Sequence, residues 1–310
     1  MKVQEIITRL NLLNNCDNNC YQCFNAGNNM YGKNSQNNIV FIANSQNFSQ
    51  SSIQQTKYLA LTRNVSCTIK IGETEKNGRF DILTCLSDNP IHIKVFIELT
   101  NMYINNDLNG SITDYFICLK DLFTNKQKIS TKELQGIYAE LYVMYYMADF
   151  GIDLYSLWQS IDKMKFDFSV SENKKIEVKS TIGENRIHKF RHEQLVTDIF
   201  DVWIVSVLLR KDDQGLSLYD LANLVKNECS HNIKVFAHIE NLLLNYSKED
   251  LQNIRFNKTY TDKNIALYKA IDVPKFKSKQ PDGVSNTEYD SDLNNIDSRT
   301  IKEFIEWIKN

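Results

Sequence analysis

The sequence predicts an α/β chain of the α+β kind, with a β-rich N-terminal module over residues 1–90 and a mixed domain over residues 91–310. Three observations lead there. Short strand-like runs cluster between Ile39 and Cys85. Helical and strand-like segments alternate from Thr131 onward. Val202 to Leu209 is a continuous apolar run, the pattern of a central strand buried on both faces.

The elements follow in order. MKVQEIITRLNLLNN carries Glu5 and Arg9 within its apolar periodicity, so it reads as an amphipathic helix and not as a signal-peptide core. Residues 15–38 are rich in Asn, Gln, Ser and Gly and are expected to form an irregular loop. Strands are predicted at Ile39–Ala43, Tyr58–Thr62, Cys67–Ile71 and Phe80–Cys85. Helices follow at Ile91–Ile104 and Ile112–Phe123, then a polar break at Asn125–Ser130. Next come a helix at Leu134–Ala148, a hairpin within residues 165–181, a short helix, the Val202–Leu209 strand, and helices at Leu216–Lys226 and Ile233–Leu244. A strand near Ile265–Val273, a turn-rich stretch with Pro274, Pro281 and Gly283, and a helix at Arg299–Ile308 complete the chain.

At 310 residues and 42% hydrophobic, the chain can bury a sizeable core. Its apolar stretches are too short, or too rich in tyrosine, to span a bilayer, so no membrane association is expected. Seven scattered cysteines without a close framework suggest reduced thiols and a cytoplasmic location. The net charge of −2 and pI near 6.2 exclude nucleic-acid binding by bulk electrostatics; any such contact needs a local patch.

One cluster carries chemistry. In KFDFSVSENKKIEVKST, residues 165–181, alternation sets Phe166, Phe168, Val170, Ile176 and Val178 toward a core and leaves Asp167, Glu177 and Lys179 together on the opposite face. Two carboxylates can hold Mg²⁺, or Mn²⁺, through oxygen. The ammonium can stabilise an attacking hydroxide and the charge that develops in phosphodiester hydrolysis. The simpler alternative is a solvated hairpin face, where Glu and Lys two apart are common. Glu140 adds weight to the chemical reading, because it is the only charged residue between Leu134 and Ala148. A buried unpaired carboxylate costs several kcal/mol, so it needs a cation or a metal.

Residues 165–192 contain seven Lys/Arg against four Asp/Glu. Arg186, His188, Lys189 and Arg191 are therefore the candidate phosphate contacts, although a charge run is often only a solvated face. His188 and His192 have metal-compatible spacing, but no third ligand is visible.

These residues together resemble a known family. GIYAE on a helix, then DF, IEVKST, a short helix with EQL, a strand and a GLSL-led helix are similar to the PD-(D/E)XK nuclease superfamily, and more narrowly to a bacterial restriction-associated branch of it. The resemblance runs from about Leu134 to Val225, and VPKFKSKQPDGVSNTEYDSDL also fits; Phe166 stands where the family name has proline. It implies a restriction-endonuclease-like core, a mixed four-stranded sheet flanked by helices. It also implies metal ligation by Asp167 and Glu177, catalysis by Lys179, an acidic helix residue at Glu140 and a polar site residue at Gln194. The implied partners are double-stranded DNA, ATPase and methyltransferase subunits of a defence system, and a second copy in a homodimer.

Three competing readings remain. Cys16, Cys20 and Cys23 form CxxxCxxC, the spacing of a four-iron cluster in radical enzymes, but Gln22 stands where an aromatic is usual and no repeated βα pattern follows. A zinc site there would lack a fourth ligand nearby. The chain could also be a non-catalytic DNA-binding or scaffolding subunit, although Asp167, Glu177 and Lys179 are all intact.

Overall fold

The computed structural model describes residues 1–14, 16, 20–45, 50–104, 111–124, 130–158, 166–228, 232–276, 283–284 and 286–310. The chain divides into two compact units, Met1–Lys126 with Ser230–Leu244, and Gln127–Cys229 with Asn245–Asn310. The mixed α+β class is as predicted, with a β-rich N-terminal part.

The first unit contains α1 (Val3–Asn11), β1 (Cys20–Ala26), β2 (Asn29–Lys33), β3 (Ile39–Asn44), β4 (Ser52–Gln55), β5 (Leu59–Ile71), β6 (Thr74–Cys85), α2 (Pro90–Ile104), α3 (Ile112–Thr124) and the later helix Ile233–Asn245. Its strands run β1-β2-β3-β6-β5-β4, and a parallel β1–β5 pairing closes the sheet on itself. Alternation then gives each strand two jobs. Cys23, Met30, Val40, Ile42, Ile69, Phe80 and Ile82 fill one cluster. Their neighbours Phe24, Tyr31, Phe41 and Leu83 pack with Ile6, Phe96, Leu119 and Phe236 from the helices.

Three expectations change here. The loop expected over 15–38 contains two paired strands, because CYQCFNA and NMYGK hide their alternation among amides. The runs at 58–62 and 67–71 are one strand, β5, kinked between Thr62 and Val65 where Asn64 takes φ +50. The module expected to end near residue 90 continues through α2 and α3, whose apolar faces pack into this unit's core.

The second unit contains α4 (Thr131–Ala148), β7 (Phe168–Ser169), β8 (Lys174–Ile182), β9 (Ile187–Arg191), β10 (Asp201–Leu209), β11 (Lys211–Ser217) and α5 (Leu218–Glu228). After α6, the Ile233–Asn245 helix already described, come α7 (Lys248–Gln252), β12 (Arg255–Phe256), α8 (Lys258–Lys263), β13 (Ile265–Lys269), β14 (Glu288–Asp292) and α9 (Ile301–Lys309). The sheet runs β13-β10-β8-β7, four strands with a parallel β10–β8 pair at the centre and antiparallel flanks. α4 starts at a capping box in which Ser130 and Glu133 satisfy each other's backbone N–H groups. α9 is tied to the ends of the central strands, since Trp307 Nε1 donates to Asp201 Oδ2 at 2.5 Å and Lys174 Nζ to Trp307 O at 2.9 Å.

Two glycines test this packing with opposite signs. A Cβ at Gly32 would lie 2.3 Å from Cys23 Sγ and 2.4 Å from the Gln22 carbonyl, whereas one at Gly136 on α4 would meet nothing within 4 Å. Gly32→Ala should therefore destabilise the protein by about 1–3 kcal/mol, as overpacking does. Gly136→Ala should stabilise it by roughly 0.5–1 kcal/mol through helix propensity. Denaturant midpoints at constant m-value decide both.

Candidate active site

β8 is the element on which the site is built. Its inner neighbour β10 pairs with it along its whole length, but on the other side β7 covers only Lys175 and Ile176. The N–H of Val178 is therefore left without a strand partner at a buried position. Asp167, one residue before β7, supplies one: its Oδ2 accepts from Val178 N at 2.6 Å. A side chain thus continues the ladder where the strand stops, and this holds the Asp167 carboxylate beside Glu177.

Glu177 stands opposite Ile204 in the parallel register, and Ile204 belongs to the cluster of Phe166, Phe190, Leu195, Val202 and Tyr268. The face expected to be free of the core is therefore covered. Glu177 is only 3% exposed, and Phe166 packs on this side against Phe200 at 5.4 Å, not with Phe168 as alternation suggested. The chain bends at residues 166–167 before β7 begins, which breaks the alternation.

Glu177 Oε1 accepts from Lys179 Nζ at 2.5 Å and from Gln194 Nε2 at 2.6 Å. Gln194 sits in a 3-10 turn at His192–Gln194, and its own Oε1 accepts from Lys179 Nζ and from the Arg191 N–H, each at 3.1 Å. These contacts fix which way its amide points. The ammonium of Lys179 also lies 5.3 Å from the centre of the Phe190 ring. Glu177 Oε2 is buried and has no hydrogen-bond partner among the described residues.

Glu140 comes to this cluster from α4. Gln135 Nε2 donates to Ser180 Oγ at 3.2 Å, which aligns the helix along β8, and Trp158 Nε1 donates to Glu140 Oε2 at 2.7 Å. The carboxyls act on one another. Burial pushes Glu140 up to about 7, with Glu177 adding to the shift and Trp158 and Lys179 opposing it. Burial raises Asp167 well above the usual carboxylate range, helped by Glu177 and Glu140. Glu177 is also raised by burial, against the pull of Lys179, Gln194 and Arg191.

The basic segment divides. Arg186 is turned inward: its Nη1 donates to Ser206 O at 3.0 Å and Ser206 Oγ at 2.8 Å, and its Nη2 to Asn264 O at 2.9 Å. His188 is buried, 2.7 Å from Ser206 Oγ, and burial with Lys179 and Arg186 pushes it down to about 4, so it is neutral. Both differ from the phosphate-facing placement expected of them. The segment is strand β9 paired with β14, where no strand was expected. Lys189 and Arg191 stand on its exposed side, 3.7 and 3.5 Å from Glu288. Alternation in IHKFR, with every second residue buried, was the available signal.

Among the described residues no group of three or more His, Cys, Asp or Glu converges at metal-holding spacing. That includes the CxxxCxxC cysteines. Burial raises the Cys20 and Cys23 thiols, and Cys16 Sγ donates to the Cys20 carbonyl at 2.9 Å. His188 is committed to Ser206, and among the described residues neither it nor His192 belongs to a metal-holding group of three or more side chains.

A divalent cation nevertheless fits the carboxyl set. Glu177 Oε2 is a buried oxygen without a partner among the described residues, and Asp167 and Glu140 repel it and each other; a cation would relieve all three at once.

Fold and site together define a nuclease-like α+β protein. Over residues 27–294 the chain matches the family described as "Putative PD-(D/E)XK family member, (DUF4420)", and it belongs to that family. Nucleases of this superfamily generally use divalent metal ions and act on DNA. No curated protein and no solved structure matches the chain. Among the described residues no helix is long and apolar enough to cross a membrane.

Proposed function

We propose that the chain is a divalent-metal-dependent DNA endonuclease of the restriction type, the cleavage component of a bacterial restriction-modification or related anti-phage defence system acting in the cytoplasm. The observation that carries this reading is the buried, unpartnered Glu177 Oε2 beside Asp167, with Lys179 bonded to the other oxygen of the same carboxylate. Asp167 and Glu177, with Glu140, would hold Mg²⁺ or Mn²⁺. When bound, the ion polarises the scissile phosphate and lowers the pKa of its water. Lys179, kept in place by Gln194 and Phe190, would offer its ammonium to the charge that develops during attack. Double-stranded DNA is the substrate of this reading. ATPase and methyltransferase subunits, or a second copy of the chain, belong to the same proposal.

Metal-dependent cleavage of a supercoiled plasmid tests the proposal, together with calorimetry in Ca²⁺, an ion expected to support binding without cleavage. Asp167→Ala should lose both metal uptake and cleavage. Unchanged metal uptake in that variant would remove Asp167 from the site, and DNA binding without any cleavage by the wild type would favour a scaffolding subunit.

The phosphate contacts fall to Lys189 and Arg191, since Arg186 and His188 have inward partners. Neutralising Lys189 and Arg191 together should weaken DNA binding about equally across sequences and lower the salt slope by roughly one unit per contact. Arg186→Met should instead lower the denaturant midpoint, because it removes three hydrogen bonds, to Ser206 O, Ser206 Oγ and Asn264 O. An unchanged slope in the double variant would move the DNA path off β9.

A further inference from the structure

Trp158 ends the 3-10 turn Tyr155–Leu157 that follows α4, and it has no place in the chemistry so far. It is 7% exposed, and its position is set from two sides. Its backbone forms an antiparallel bridge with Phe168, the residue after Asp167. Its indole Nε1 donates to Glu140 Oε2 at 2.7 Å. One residue therefore links the strand that begins just after Asp167 to the helix that carries Glu140.

The chemistry of the bond matters as much as its place. An indole N–H is a donor only and cannot take up a proton, so it favours the ionised carboxylate and leaves its charge uncompensated. A lysine or arginine at this position would neutralise Glu140 and compete with a cation. The indole occupies one oxygen, Oε2, and fixes the rotamer without itself bringing a positive charge. Partners that orient a ligand in this way typically control about 10–100-fold in metal affinity.

We infer that Trp158 is a positioning residue for the metal site: by its bond to Oε2 it presents Glu140 to the cation that Asp167 and Glu177 share. The inference rests on the metal-binding reading of the carboxyl cluster and adds to it a residue outside the D-x9-E-x-K pattern. Since the indole touches a ligand, Trp158 should also report occupancy through its emission.

The test is Ca²⁺ binding to the full chain, measured by calorimetry and by tryptophan fluorescence. Trp158→Phe should weaken Ca²⁺ about 10–100-fold and remove the Ca²⁺-dependent change in emission. Glu140→Gln, which keeps the indole, should remove the same change. The double variant should bind no more weakly than Glu140→Gln alone, because without the carboxylate there is nothing left to position. Wild-type affinity in Trp158→Phe would overturn the inference. So would equal weakening by that change in the wild-type and Glu140→Gln backgrounds, the mark of a merely structural role. Should Trp158→Phe fail to fold, a Ca²⁺ response of the emission that persists in Glu140→Gln sinks the idea. A wild type that takes up no divalent ion overturns the reading of the site, and this inference with it.

Discussion

Lys179→Ala should abolish most cleavage, by about 10²–10³-fold or more, the loss usual when a preorganised group facing transition-state charge is removed. Affinity for DNA in Ca²⁺ and its salt dependence should stay near wild type. The ammonium is drawn inward by Glu177 Oε1 at 2.5 Å and Gln194 Oε1 at 3.1 Å, so it adds little to ground-state attraction of the backbone. Lys189 and Arg191, on the exposed side of β9, make the contrast. A second consequence follows from burial. The Glu177 side chain is 4% exposed, and without Lys179 its charge keeps, among the described residues, the Gln194 amide as hydrogen-bond donor and the more distant pull of Arg191. Breaking a buried pair leaves an uncompensated ion, which destabilises strongly unless the group takes up a proton. Lys179→Ala should therefore be less stable than wild type in alkaline buffer and nearer to it in acid, while Lys179→Ala/Glu177→Gln should recover stability without recovering cleavage. Single-turnover assays beside denaturant titrations check both halves. A salt slope that falls by a full unit would make Lys179 a phosphate contact.

Much of the fold and the cluster was legible in the sequence where one physical constraint dominates. Val202 to Leu209 could only be a strand covered on both faces, and it is the central strand β10. The isolation of Glu140 among apolar residues of α4 pointed to a buried partner, and the carboxyl does lie within electrostatic reach of Asp167, Glu177 and Lys179. What was not legible depends on pairing over distance. β1 and β2 are held by their neighbours and by the β1–β5 closure, not by propensity. β9 becomes a strand because β14 pairs with it from nearly a hundred residues away, setting Arg191 against Glu288 and Lys189 against Asp290. Counting charges along the chain could not distinguish Arg186, spent on Ser206 and Asn264, from Lys189 and Arg191. Trp158 was invisible for a like reason, since nothing local distinguishes an indole that finds a carboxylate eighteen residues back.

Stability should fall as pH rises, contrary to the usual behaviour of carboxylates in salt bridges. Each of Glu140, Asp167 and Glu177 is raised in the folded state, so each binds protons more tightly folded than unfolded. The stabilisation from these protons is complete below the unfolded values and is lost as pH climbs through the folded ones. For Glu140 the window runs from its ordinary 4.5 to about 7. At about 1.36 kcal/mol per pKa unit, its share is at most on the order of 3 kcal/mol. Asp167 moves the same way over a window that starts at 3.8. The metal-free protein should thus be more stable near pH 5 than near pH 8, with Asp167→Asn and Glu140→Gln each flattening the curve. Ca²⁺ should reverse the slope, since it binds the ionised carboxyls of the native state and adds about 2.7 kcal/mol at a hundredfold excess over Kd. Urea midpoints over this range, with EDTA and with Ca²⁺, decide the matter. Stability that rises with pH in EDTA would mean that the three carboxyls are paired with cations already and have no charge left to give a metal.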